Sequence, residues 1–504
     1  MKHILLFGAG KSATVLIDYL VNLVQQNSWH LTVADQDRKT VEAKLQGAAN
    51  TSVAAISVND EDGRAELIRS VDLVISLLPP SLHYLVAIDC LQYGKHLLTA
   101  SYVDDRIREL QQQVKDKKIL FLCEMGLDPG IDHMSAMEFI QRIKSKGHHI
   151  SAFYSHCGGL VAPESDDNPW HYKISWNPRN VVLAGKAGAE FLENGKKVHR
   201  NYEDLFDVRQ LLQLPDLPAF AWYPNRDSLS YIPLYELEGV DTFVRTTLRH
   251  PEFLSGWKNL VKMSLTREDI FYETDGKTLQ QFFQEHLNKN GYGEWLEHSL
   301  SERFQQTKEL LEKLSELFEV EEEAAKQGNE NNGDMMFVDP EGEIREMNID
   351  DVKIEAVSTV TGTMKEATQT LKQLFHLGLG DDATLIDKGN CSAADVLQYV
   401  LEQKLKLNSS DKDMIVMVHE IEHVSEGRKY LSTSYMVIKG EDNLRTAMAK
   451  TVGLPLGIAA NFILQGKIDV SGVHIPTIPE IYFPVLHELR HHGIVFHEHH
   501  EELE

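Results

Sequence analysis

Short apolar runs of strand length recur along the first 125 residues: HILLF, HLTVAD, SVAAISV, VDLVISLLP, HLLTA and ILFLC. Between them lie stretches such as EDGRAELIRS and DDRIRELQQQVKD, whose apolar spacing is helical. Strands alternating with helices of these lengths predict an α/β fold, with a doubly wound parallel sheet over residues 1–125.

The pattern changes after Cys123. CEMGLDPGIDHMSAM puts two glycines and a proline directly behind the last of these strands, where open sheets meet their ligands. SAFYSHCGGLVAPESDDNPWHYKISWNPR, AWYPNRDSLSY and DTFVRTTLRHPEF are rich in aromatic and turn residues. They predict a β-rich substrate domain that begins over 126–259. Residues 260–359 are mostly helix-forming, as in SLSERFQQTKELLEKLSELFEVEEEAAK, with KQGNENNGD as an exposed loop. These charged, amphipathic helices predict a packing or lid subdomain. Over 360–504 strands return in DMIVMVHEIEHV and KYLSTSYMVI, followed by a helix in EDNLRTAMAKTVGLPLGIAANFIL. This part completes the substrate domain, with a partial return to the first domain. The chain has no internal repeat.

Gly8-x-Gly10-x-x-Ala13 follows the first strand and matches the dinucleotide-binding fingerprint. Gly8 permits the tight turn, Gly10 lets the backbone approach a pyrophosphate, and Ala13 lets helix lie close on strand. The pyrophosphate then meets the positive end of the helix, with Lys11 and Ser12 in the cofactor loop. Gly10-Lys11-Ser12 also resembles the tail of a Walker loop, but Leu5 stands where that motif needs glycine. HLTVAD ends in Asp35, about 25 residues beyond the glycines. An acid there accepts from the ribose hydroxyls and repels a 2′-phosphate, which favours NAD over NADP. Arg38, three residues on, leaves NADP open.

At 504 residues the chain has length for two to four domains of roughly 100–200 residues each. The formal net charge of −26, from 76 acidic and 50 basic side chains, repels phosphate backbones and anionic lipid. Nucleic acid and membrane partners are therefore not expected, and a small anionic substrate would need clustered arginines. Cys90, Cys123, Cys157 and Cys391 lie far apart without a C-x-x-C pair, which fits a reducing cytosol. The apolar run after Lys2 stops at Gly8, short of the about 7–15 residues of a secretory signal. No stretch approaches the roughly 20 apolar residues of a membrane span, so a cytoplasmic location is expected.

HELRHHGIVFH, His487 to His497, holds the His-Glu-x-x-His pattern of zinc peptidases, with His497 placed as a third ligand. The extended pattern wants glycine where this chain has Ile494. Gly493 reads instead as the stop of a terminal helix, with IVFHEH as a final strand. A second copy, HEIEH from His419 to His423, lies in an alternating run that predicts a strand. Residues four apart on a strand are roughly 13 Å apart, too far to share one zinc. No metal site is expected.

At GLDPGIDH, SHCGGLVAPESDDNPW, YPNRDS and VRTTLR the sequence resembles the saccharopine dehydrogenases that form glutamate. The likeness runs from the fingerprint to the last helix. It implies a Rossmann domain, a mixed-sheet substrate and dimerisation domain, and a helical domain. It also implies a homodimer that interconverts saccharopine with 2-aminoadipate semialdehyde plus glutamate, using a nicotinamide cofactor. Ser101, Tyr102, Asp128, Arg226 and Arg249 match the family's substrate positions, as does the backbone at Thr247 and Leu248. Leu127 is assigned to the cofactor, and Asp128, Tyr102 and Cys157 to proton movement. Guanidinium forks suit the three carboxylates of saccharopine. Many fungal members carry Cys-Arg where this chain has Asp35-Gln36, so their NADP preference does not transfer. The rival readings are a dehydrogenase of another carboxylated secondary amine, such as carboxynorspermidine, a non-enzymatic nucleotide-sensing scaffold, and the zinc peptidase.

Overall fold

The computed structural model describes residues 1–207, 210–293, 334–338, 344–348, 365 and 368–503. It divides into two compact units, one of Met1–Asp167, His171–Leu254 and Leu405–Glu504, the other of Asn168–Trp170 and Ser255–Lys404.

In the first unit a parallel sheet is built from β1 (His3–Phe7), β2 (His30–Asp35), β3 (Thr51–Ala55), β4 (Leu73–Ser76), β5 (His96–Thr99) and β6 (Leu120–Leu122). Gly472–His474 joins from far along the chain, beside β6. The order is Gly472–His474, β6, β5, β4, β1, β2, β3. Ile4, Leu5, Leu6, Val74, Ile75, Leu97 and Leu98 are all fully buried, because both faces of the sheet are covered. That is why these strands read as unbroken apolar runs. Chain order reverses between β1 and β4, which opens a crevice at their carboxyl ends.

Helix Thr14–Asn27 buries Leu16, Ile17, Leu20, Leu23 and Val24. Helix Ala447–Leu464 lies against it, so closely that a Cβ on Gly453 would stand 2.9 Å from the Leu16 nitrogen. This helix is 18 residues long with a mean hydropathy of 1.4, enough by length and composition to cross a membrane, contrary to the sequence expectation. It is a core helix instead, with 78 % of that stretch buried inside the fold. It begins later than its sequence pattern suggests. Asp442 accepts from the Leu444 and Arg445 amides, which makes a turn, and Thr446 then caps the Ala449 amide.

The second sheet of this unit is mixed and has ten strands among the described residues. Its centre is β7 (His149–Val161), antiparallel to Asp413–Ser425 on one side and parallel to Thr242–Arg249 on the other. Arg428–Lys439 and His497–Leu503 extend one side. HEIEH lies within Asp413–Ser425 as the alternation predicts, and HELRH within helix Pro479–His491. The described residues contain no cluster of three or more His, Cys, Asp or Glu able to hold a metal ion.

In the second unit, helices Leu279–Lys289 and Ala393–Lys404 accompany a short pairing of Phe271–Glu273 with Asn390–Ser392. Within the span read as helix-forming, Asp334–Val338 and Ile344–Asn348 form an antiparallel hairpin. SLSERFQQTKELLEKLSELFEVEEEAAK lies outside the described residues.

Candidate active site

The loop after β1 turns at Gly8 with φ +98°, and a Cβ there would stand 2.7 Å from the Leu77 carbonyl oxygen. Only glycine makes this turn without strain. At Gly10 a Cβ would meet nothing within 4 Å, so this side of the loop is open. Lys11–Ala13 form a 3-10 turn into helix Thr14–Asn27, with Ala13 buried, Ser12 partly buried and Lys11 exposed. Asp35, at the end of β2, reaches back to the loop. Its carboxylate accepts from the Ala9 amide at 2.7 Å and the Asp37 amide at 3.0 Å. A carboxylate has about four acceptor positions, so capacity for ribose hydroxyls is left. Arg38 is exposed and pairs with Glu42 at 2.7 Å, one helical turn on. Lys44, which the sequence did not single out, donates to the Gly10 carbonyl at 2.6 Å and to Thr14 Oγ1 at 3.0 Å. Burial pushes its pKa down to about 8. An open glycine turn, a helix amino terminus and an acid at the ribose position fit a dinucleotide.

A second loop at the same edge of the sheet carries the acid chemistry. The Gly126 amide donates to the Pro129 carbonyl at 2.9 Å, and a Cβ on Gly130, at φ +146°, would overlap the Gly126 backbone. This tight loop presents Asp128 ahead of helix Ile131–Ser145. Arg245 Nη2 donates to Asp128 Oδ1 at 2.7 Å and to Asp132 Oδ2 at 2.8 Å. The Tyr102 hydroxyl donates to Asp128 Oδ1 at 3.3 Å. The Arg245 guanidinium lies 4.3 Å from the Tyr231 ring centre. Behind this group, His133 bridges the Tyr235 hydroxyl at 2.6 Å and Glu124 Oε2 at 2.8 Å.

Burial and the neighbouring Asp132 push Asp128 up to about 6, against the pull of Arg245. Burial opposes ionisation of Asp132 as well. There His133, Arg245 and the Gly130 amide outweigh it, and the carboxyl is held below its ordinary range. The loop thus carries one acid poised near neutrality beside one that stays charged. Burial, then Asp128 and Asp132, pushes the Cys157 thiol well up, so it remains protonated. Burial and Asp128 do the same to Tyr102.

Along Thr242–Arg249 the alternation sets Arg245, Thr247 and Arg249 on one face. Thr247 pairs with Cys157 on β7, which brings that thiol to the same face. The Leu248 side chain points the other way, into an apolar cluster with Leu160, Phe220 and Val416, so only its backbone can serve the site. Arg249 Nη1 donates to the Leu248 carbonyl at 2.7 Å, and its guanidinium lies 5.3 Å from the Tyr172 ring. Its Nε is buried without a hydrogen-bond partner. Arg226 is exposed at φ +49°, an uncommon conformation for a long side chain, and stands 5.3 Å over the Tyr102 ring. Leu127 is buried in the core and Ser101 is hydrogen-bonded to His83 at 2.9 Å. Sequence reasoning missed Arg245, Asp132, His133 and Glu124.

The family described as the saccharopine dehydrogenase NADP binding domain matches residues 4–122. That described as the saccharopine dehydrogenase C-terminal domain matches residues 126–494. The saccharopine dehydrogenase [NADP(+), L-glutamate-forming] of Schizosaccharomyces pombe is 30 % identical over 98 % of this chain and 98 % of its own length. An alpha-aminoadipic semialdehyde synthase of Arabidopsis thaliana is 31 % identical over 97 % of this chain, which spans only 44 % of that longer protein. The structure of apo saccharopine dehydrogenase (L-Glu forming) from Saccharomyces cerevisiae superposes with a TM-score of 0.77 at 28 % identity, covering 99 % of this chain and 100 % of that one. The glycine turn lies within the first matched span, and the paired-carboxylate loop and the two arginines on one face of Thr242–Arg249 lie within the second. The chain belongs to the saccharopine dehydrogenase family.

Proposed function

We propose that this chain oxidises saccharopine at its secondary amine and releases 2-aminoadipate semialdehyde and glutamate, and that it runs the reverse reaction as well. The observation that carries this reading is Asp128, held by Arg245 and by Tyr102, over whose ring Arg226 stands, with the buried Arg249, its Nε unpartnered, on the strand face of Arg245. A bound nicotinamide supplies the hydride acceptor. Arg226 and Arg249 hold carboxylates of the tri-acid, as planar forks do best. Asp128 takes the proton that leaves the amine nitrogen and serves again when water adds to the resulting imine. Tyr102 keeps its proton and donates to Asp128, while Cys157 stays protonated and does not act as a base. A polyamine-type substrate would call for acceptors where these guanidiniums stand, which supports saccharopine over carboxynorspermidine.

For the cofactor, Asp35 at the ribose position supports NAD, whereas the S. pombe relative is named for NADP(+) and the matching family is described by NADP binding. The reading retains a cytoplasmic homodimer, with all four cysteines free. Purified protein with saccharopine and either cofactor, followed by reduced-cofactor absorbance, tests the activity, and no turnover with either one rejects it. Asp35→Ser narrows the gap between NAD and NADP if the acid sets the choice. A wild type that prefers NADP outright overturns the NAD assignment.

A further inference from the structure

His83 occupies a position that the proton chemistry does not use. It sits at the start of helix His83–Tyr93, 3 % exposed, between two hydroxyls. Its Nδ1 is 2.8 Å from Ser76 Oγ and its Nε2 is 2.9 Å from Ser101 Oγ. Ser76 is the last residue of β4, fully buried beside Phe7 of β1, just before the cofactor turn at Gly8. Ser101 follows β5 and immediately precedes Tyr102, the residue bonded to Asp128. One imidazole therefore joins the cofactor side of the sheet edge to the substrate side.

Burial pushes the ring down to about 4, so it is neutral and carries one N–H and one lone pair. Only two arrangements of hydrogens satisfy both contacts. With the proton on Nδ1, Ser101 must donate to Nε2, and its remaining capacity is as an acceptor, which repels a carboxylate. With the proton on Nε2, Ser76 donates to Nδ1, Nε2–H donates to Ser101, and the Ser101 hydrogen is free to donate outward. We infer that His83 is a positioning residue that holds Ser101 as a donor to a carboxylate of the bound substrate. This rests on the saccharopine reading above, since only an anionic substrate makes the donor orientation useful.

Three substitutions separate position from bulk. His83→Gln places an amide N–H near Nε2 and keeps the donor to Ser101. His83→Asn reaches only towards Ser76, and Ser101→Ala removes the acceptor of that bond. Saccharopine KM rises about 10- to 100-fold in His83→Asn and in Ser101→Ala, the worth of one hydrogen bond to a charged group. In both, kcat and the affinity for reduced cofactor, titrated by fluorescence, stay close to wild type. His83→Gln returns KM towards wild type, and the double variant His83→Asn/Ser101→Ala is no worse than Ser101→Ala alone. Equal loss in His83→Gln and His83→Asn, additive losses in the double variant, or a fall in cofactor affinity matching the fall in substrate affinity overturns the inference. If His83→Asn does not fold, comparison of His83→Gln with Ser101→Ala decides it: a KM as high in the former as in the latter overturns it. Wild type without saccharopine turnover overturns the functional reading and this inference together. An active wild type with unchanged KM in the variants overturns the inference alone.

Discussion

One terminal nitrogen of Arg245 bridges Asp128 and Asp132, at 2.7 and 2.8 Å, with side-chain exposures of 4 % for the arginine and 16 % and 1 % for the two acids. A buried and a part-buried carboxylate share a single cation. The arrangement separates their tasks, because Asp132 sits on the Gly130 amide and beside His133, while Asp128 faces the crevice with Tyr102. The acid with more partners keeps its charge, and the other can exchange protons.

Removing the shared cation leaves Asp128 with Tyr102 alone and Asp132 with His133 and the Gly130 amide, and leaves the two like charges facing each other. Arg245→Met should therefore destabilise the protein by about 3–5 kcal/mol, the usual cost of breaking a buried ion pair from one side. Denaturant unfolding measures this. Arg245→Met/Asp132→Asn should recover part of the loss, and an Arg245→Met variant as stable as wild type would remove the bridge from the account.

The pH dependence of saccharopine oxidation follows from Asp128, raised to about 6 by burial and by Asp132. Only its ionised form accepts a proton, so kcat/KM rises with pH through about 6. Asp132→Asn deletes the like charge that raises Asp128, so the acid limb moves to lower pH. Asp128→Asn loses the limb and about 10²–10⁴ in rate, the range of general acid–base catalysis. An unchanged limb in Asp128→Asn assigns it to another group.

Arg226 and Arg249 differ in what they do without substrate, and their variants should differ accordingly. Arg226 is exposed on a strained turn, so Arg226→Lys and Arg226→Ala raise saccharopine KM and leave unfolding unaffected. Arg249 is buried against Tyr172 and Phe253, so Arg249→Ala raises KM and also lowers Tm. Near-normal saccharopine kinetics in all three would reduce both arginines to structural residues.

Burial lowers His83 to about 4 and His419 to about 3, from an unfolded value near 6.5. Below pH about 6.5 the unfolded chain binds these protons and the folded chain does not, so stability falls as pH drops towards about 4. Each histidine contributes about 1.4 kcal/mol per pH unit within that window, and Asp128, raised to about 6, offsets one of them below that pH. Thermal unfolding at pH 7 and pH 5 should show a clearly lower Tm at pH 5. A Tm that is flat or higher at pH 5 contradicts the neutral burial of these rings.

The parallel sheet was legible because its strands are buried on both faces, and full burial writes itself as the unbroken apolar stretches ILLF and LVI. The glycine turn was legible because Gly8 answers to local backbone geometry, which a short motif encodes. HEIEH was dismissed as a zinc site on the same local grounds, by the alternation that makes it a strand. Arg245 could have been found, since VRTTLR on a strand puts it on the face of Arg249. Glu124, Asp132 and His133 could not, nor could the bridge from Ser76 through His83 to Ser101. Tyr235, Arg245 and Ser101 lie 18 to 113 residues from their partners, and the nearer pairs, Glu124 with His133 and Ser76 with His83, 9 and 7 residues apart, each join a strand end to a helix, where neither period applies. The hydrophobic period tells each side chain which way to face. Which charges then meet, and so which carboxyl is raised and which is held ionised, is decided by burial and by neighbours that only the folded chain assembles.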